Sequence, residues 1–204
     1  RGMAVRAVGY DSGGLPGVTQ QAYDAWVRAR RAGLARLYGQ VSGRDAWSIL
    51  ALKGANGLQA QRLAVVYPDT ARKVQSGGHV PVGTFNPNHF KDDMQGHLGR
   101  AEAGPWAVHI PAALRSPEPP HAFFEQLVAE RRLPSGRWEK VRAAARNEAT
   151  DLMVMTHVVA HLHGLARLKW DAPPAWAAEW DLNSAIGPTQ PDAGKAGTLR
   201  PSAT

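Results

Sequence analysis

Short apolar segments of strand character alternate with helical patterns along this chain, and that alternation argues for α/β architecture. Ala4 to Tyr10 is apolar apart from Arg6 and runs into Asp11-Ser12-Gly13-Gly14. It reads as a buried strand ending in a turn, which would present Asp11 at the carboxyl edge of a sheet, where open α/β sheets place their ligands. Thr19 to Arg31 reads as a helix, with Thr19 as N-cap, Tyr23, Trp26 and Val27 on one face and Gly33 past its end. Trp47 to Leu52 is a second strand, ending in Lys53-Gly54. Leu63 to Tyr67 has strand character in loop-like surroundings. Val80 to Phe85 is a third strand, followed by Asn86-Pro87 as N-cap and first helical position of a helix through Phe90, Met94 and Leu98. Trp106 to Ile110 reads as a fourth strand. Pro119-Pro120 launches a helix carrying Phe123, Phe124, Leu127 and Val128. Leu133-Pro134-Ser135-Gly136 is a turn, so the basic segment around it forms a hairpin or extended ribbon. The last long helix is apolar from Leu152 to Leu165 and runs to about Arg167. Residues 1–187 are expected to form one domain, with Pro188 to Thr204 a disordered tail.

The approach to that last helix carries the chemistry. Arg146-Asn147-Glu148-Ala149-Thr150-Asp151 sets Glu148 and Asp151 three residues apart, on one helical face. Arg131, Arg132, Arg137, Lys140, Arg142 and Arg146 crowd the same stretch. Acids grouped under a cationic rim are what metal-dependent phosphodiester chemistry requires: carboxylates hold divalent ions while lysines and arginines hold a nucleic-acid backbone. The plainer alternative is that acids in a first helical turn complement the helix dipole. Charge bears on the choice, with a basic surface that has no partner as the plainer alternative. The chain has 24 Lys and Arg against 17 Asp and Glu, a net charge of +7, and a surplus of that kind points to an acidic partner. There is no cysteine, which excludes disulfides and thiolate metal sites. No apolar run approaches membrane-spanning length and no secretory signal opens the chain, so a soluble, intracellular protein is expected.

With these pieces in place, the order of motifs resembles the nuclease domain of a lambda-type phage terminase large subunit. The residues that carry the resemblance begin with Asp11-Ser12-Gly13-Gly14, Thr19-Gln20 with Tyr23, and Ala51-Leu52-Lys53-Gly54. Val82-Gly83, Lys91-Asp92, Gly96 and Leu98 continue it. Phe123-Phe124-Glu125-Gln126-Leu127 with Glu130-Arg131, and Arg146-Asn147-Glu148-Ala149 with Asp151, complete it. Together they span about residues 5 to 166. The resemblance implies a ribonuclease H-like fold and cleavage of concatemeric phage DNA with two divalent ions, Mg2+ or Mn2+. It also implies a small-subunit partner and a portal-docked setting in the host cytoplasm. The ATPase motor of such proteins is expected outside this chain, since no G-x-x-x-x-G-K-[ST] phosphate loop occurs. The family's first metal-binding aspartate lies on an earlier strand that nothing before Ala4 can supply, so the domain is expected to be truncated at its N-terminus.

By that likeness Asp11 and Asp151 are metal ligands, with Glu148 the next candidate, one turn before Asp151. Two-metal hydrolysis needs carboxylates that hold ions about 3.5–4 Å apart. Lys53, where a strand runs into glycine, could reach the scissile phosphate or the carboxylates. Lys91 matches the family pattern and would contact the DNA backbone with Arg131, Arg132, Arg137, Lys140, Arg142 and Arg146. Asp92 and Asp93 read as solvated helix-face charges. His157 and His161 share a helical face as zinc-site histidines do, but no glutamate lies between them, no third ligand is evident and His163 points elsewhere. Ser12 sits one place late for G-x-S-x-G, which argues against a serine hydrolase. The rivals to a nuclease are a catalytically incomplete DNA-holding module and a portal-docking domain.

Overall fold

The computed structural model describes residues 2–3, 5–14, 16–68, 80–102, 107–115, 122–169, 171–178, 183 and 186–187. The chain divides into two units, Arg1–Arg6 with Arg167–Thr204, and Ala7–Ala166. In the first, β1 (Gly2–Met3) pairs antiparallel with β10 (Ile186–Gly187), and Arg6 lies over the Trp176 ring.

The second unit is built on a four-stranded mixed sheet. Its order is β2 (Val8–Asp11), β5 (Ile49–Gly54), β7 (Val82–Phe85) and β6 (Leu63–Val66), with the first three parallel and β6 antiparallel. Leu50, Ala51 and Leu52 are sealed from solvent, as befits a central strand covered on both sides. Two short hairpins stand apart from the sheet. One joins β3 (Leu37–Val41) to β4 (Arg44–Trp47), and the other joins β8 (Glu130–Arg132) to β9 (Trp138–Lys140).

Successive strand residues point to opposite faces, so the helices can be assigned to faces from single contacts. Tyr10 donates to the Ala22 carbonyl and the Trp26 indole to the Ile49 carbonyl, which places α1 (Val18–Arg31) on the face of Tyr10, Ile49, Ala51 and Lys53. A Cβ added at Gly9 would lie 2.6 Å from both Val159 and Leu52, so α4 (Glu148–Leu162) rests on the other face, that of Gly9, Asp11, Leu50 and Leu52. Gly83, level with Leu52, leaves room for Leu50, Leu52 and Leu162 in the same way. Phe90 of α2 (Pro87–Leu98) meets Phe85 edge-on and is completely buried.

Several boundaries differ from those read in the sequence. The first strand is described as Val8–Asp11, so Asp11 is its last residue. Helix α1 starts one residue before Thr19, on Gly17 at φ 87°, and the Thr19 hydroxyl instead donates to the Ser12 carbonyl. The segment from Trp47 to Leu52 is two strands, broken at Ser48, whose hydroxyl donates to the Leu34 carbonyl. Residues 107–110 form no strand, and among the described residues no strand pairs with them. The helix expected after Pro119-Pro120 is the short α3 (Phe123–Leu127), and α4 ends at Leu162 rather than near Arg167. Ala4, Trp106, Pro119, Pro120 and the expected tail from Pro188 to Thr204 lie outside the described residues. No helix among the described residues is long and apolar enough to cross a membrane.

Candidate active site

Asp11 closes β2 on the sheet face that α4 covers, and its side chain accepts from the Gly13 amide at 2.9 Å, folding the chain into a tight turn beyond the strand. Ser12, one residue on, is wholly buried and donates to the Leu52 carbonyl at 2.8 Å, which fixes that turn to β5 and leaves no free hydroxyl for nucleophilic work.

The first turn of α4 is held from outside. Asn147 makes no side-chain cap to the backbone; Gln126 of α3 takes that part, accepting from the Ala149 amide at 2.9 Å and, through its own carbonyl, from the Thr150 hydroxyl at 2.7 Å. This leaves the Asn147 amide group to reach the Asp151 carboxylate at 3.1 Å.

Asp151 is one corner of a charged triad that spans three elements. Lys91 of α2 donates to both carboxylate oxygens of Glu130 in β8, at 2.6 and 2.8 Å, and lies 3.4 Å from Asp151. The Lys91 and Glu130 side chains are only 10% and 7% exposed, whereas Asp151 is 43% exposed and opens to solvent. Burial pushes the Asp151 carboxyl above its ordinary pKa and the Glu130 charge pushes the same way, against the pull of Lys91. The lysine prevails less than its proximity suggests because Glu130 already neutralises it through shorter bonds.

Glu148 is a different case. It is exposed on the rim, paired with Arg146 at 3.2 Å, and hydrogen bonding to its own backbone amide holds its carboxyl below the usual range. Lys53 falls, by strand alternation, on the α1 face of the sheet, opposite to Asp11. Among the described residues no hydrogen bond or ion pair joins Asp11 to Asp151, Glu148 or Lys53.

The basic residues divide into three groups. Lys91, expected from the sequence to contact the DNA backbone, is buried inside the domain and its ammonium is paired with Glu130. Arg131 pairs with Glu139 directly across the hairpin, and Arg132 makes two bonds to Asp92. Burial pushes Asp92 up, but the Arg132 and Trp138 hydrogen bonds outweigh it and hold the carboxyl low. Arg137, Lys140 and Arg142 are exposed and have no ion-pair partner among the described residues.

Two groups escape sequence reasoning. Glu130 stands beside Arg131 in a motif, but its meeting with Lys91 across 39 residues leaves no periodic trace. Asp93, read as a solvated charge, lies with His157 and His161, the donor atoms of all three within 4.8 Å of one another. His157 is pushed down to about 4, by burial first and then by the neighbouring His161 and His97, so its ring is neutral at physiological pH. His163 does point elsewhere, towards the Trp47 carbonyl at 3.0 Å.

Over residues 1–170 the chain matches the family model described as terminase large subunit gpA, endonuclease domain. No curated protein and no solved structure matches it.

Proposed function

Because this chain belongs to the family of terminase large subunit gpA endonuclease domains, we propose that it cuts DNA phosphodiester bonds with Mg2+ or Mn2+ held by Asp11 and Asp151, on a ribonuclease H-like sheet. The observation that carries this reading is the environment of Asp151. It is a carboxylate at the mouth of a buried Lys91–Glu130 pair, with a raised pKa, on the helix that covers the Asp11 face of the sheet. A dication beside Asp151 would favour the ionised form, which burial and Glu130 disfavour, so the donors present suit a hard cation with oxygen ligands. Bound ions would supply an activated water and neutralise the leaving oxygen.

Within that scheme Asp11 and Asp151 are ligands and Glu148 is an outer ligand reached by rotation from Arg146. Lys91 and Glu130 orient Asp151. Lys53 serves the neighbouring phosphates only by reaching round the sheet edge. Arg137, Lys140 and Arg142, with Arg131, Arg132 and Arg146, hold the duplex through its phosphates, which positions it without reading sequence. The substrate is concatemeric viral DNA during genome packaging, and the partners are the small subunit and the portal, in the host cytoplasm.

The test is nicking of supercoiled plasmid by the purified chain. With only Asp11 and Asp151 as ligands and Glu148 in reserve, cleavage should be weak, require Mn2+ or Mg2+, and disappear in Asp151→Asn and Asp11→Asn. Cleavage that persists in both variants would overturn the ligand assignment. Retained DNA binding with no metal-dependent cleavage would favour a module that only holds DNA.

A further inference from the structure

We propose that Asp93, His157 and His161 form a second cation site, selective for one borderline transition-metal ion of the zinc, cobalt or nickel kind, which competes with Arg62 for the same donors. It rests on geometry independent of the carboxylates proposed for cleavage.

Histidines at positions i and i+4 of α4 put two imidazoles on one helical face, their centroids 5.1 Å apart. Asp93 comes from the crossing helix α2, and the donor atoms of the three lie within 4.8 Å of one another. Around a tetrahedral ion with bonds near 2.0–2.1 Å, donors stand about 3.4 Å apart, so closure asks for movements on the order of 1 Å. Two imidazoles and one carboxylate suit zinc, cobalt or nickel and not Mg2+, which demands oxygen.

The hydrogen bonds around the cluster already set the donors. His161 Nδ1 lies 3.0 Å from the His157 carbonyl. A carbonyl only accepts, so Nδ1 carries the hydrogen and Nε2 presents its lone pair. A bond of this kind, from the far ring nitrogen to a backbone carbonyl, is the usual support of a metal-bound histidine. Nε2 faces the Arg62 guanidinium at 3.4 Å, and the same guanidinium nitrogen is bound to Asp93. A cation therefore already bridges two of the three donors. Arg62 sits just before β6 with its guanidinium 5.0 Å from the centre of the Phe90 ring, and its side chain, 45% exposed, can turn outward to solvent. His157 is fixed from both sides, stacked on His97 at 4.8 Å and edge-on to Phe90. Three protein donors leave a fourth position for water or a phosphate oxygen.

The experiment is equilibrium dialysis of the tag-free chain against Zn2+ and Co2+ in the presence of excess Mg2+, with the Co2+ visible spectrum as a second readout. One ion per chain should bind, with the spectrum of a nitrogen- and oxygen-ligated low-symmetry site. Asp93→Asn and His161→Gln should each weaken binding by about tenfold or more, since changing even the groups that merely support a metal's ligands brings losses of that size. Arg62→Gln should strengthen it, because the resident cation is gone, and this gain cannot come from misfolding. Asp151→Asn should leave it unchanged. Absence of stoichiometric binding, indifference to Asp93→Asn, weaker binding in Arg62→Gln, or loss in Asp151→Asn would each overturn the proposal.

Discussion

Lys91 and Glu130 form a two-bond ion pair, at 2.6 and 2.8 Å, where neither side chain is more than 10% exposed. The pair ties α2 to the first strand of the β8–β9 hairpin, and it does so directly behind Asp151.

A buried pair of this kind is worth most when only half of it is removed. Lys91→Met strands the Glu130 charge in the interior and should cost about 3–5 kcal/mol, whereas Glu130→Leu leaves Lys91 the Asp151 carboxylate at 3.4 Å and should cost less. The double variant should be far less destabilised than the sum of the two. Urea unfolding of the four proteins gives the coupling directly, and additive losses would count against it.

Asp151 should behave in the opposite sense. Its folded pKa is raised, so its favourable contribution is full below the ordinary carboxylate value and is lost as pH rises through the folded value. At neutral pH the ionised side chain is therefore a burden on the fold. Asp151→Asn should be at least as stable as the parent at pH 7, and that advantage should vanish on acidification below the ordinary carboxylate range. A series of urea midpoints against pH checks both statements. A variant clearly less stable at pH 7, beyond the ~0.5 kcal/mol scatter of ordinary surface changes, would contradict them.

Gly9 sets the distance between α4 and the sheet. Gly9→Ala introduces a Cβ 2.6 Å from Val159 and Leu52 and should cost about 1–3 kcal/mol by overpacking. Val159→Ala in the same chain should recover part of that loss. Thermal melts of the single and double variants decide the matter.

Among the cations near the hairpin, those without an acidic partner should dominate DNA affinity. Replacing Arg137, Lys140 and Arg142 by Gln should weaken duplex binding and lower the salt slope by about 1 for each phosphate left without its cation. Arg131→Gln should do less, since Glu139 already neutralises it. Fluorescence anisotropy across a salt series separates the two classes, and equal effects would erase the distinction.

What could be read from the sequence was what local rules govern. Tyr23, Trp26 and Val27 recur at helical spacing and are the buried face of α1. Asn86 before Pro87 is a cap by chemistry alone, and its side chain accepts from the Asn88 amide. Pro134-Ser135-Gly136 marks the β8–β9 hairpin. The β3–β4 hairpin was not legible, because Leu37, Tyr38 and Gly39 are exposed and no alternation marks a buried face. Nor was the pairing of Lys91, whose charge suggests a surface until Glu130 is placed beside it. Asp93 with the histidines is hidden for the same reason, since meetings between distant residues are made by packing and not by spacing.

Gln126 uses its side chain for Ala149 and its main chain for Thr150. Beyond the bond from Glu148 to its own amide, the turn that bears Glu148 and Asp151 is thus capped from outside. Its integrity is on loan from a five-residue helix, α3, that buries nothing completely. The two segments should open and close as one latch, and the exchange rate of a single amide proton, that of Ala149, becomes a clock for how often the acidic turn comes undone.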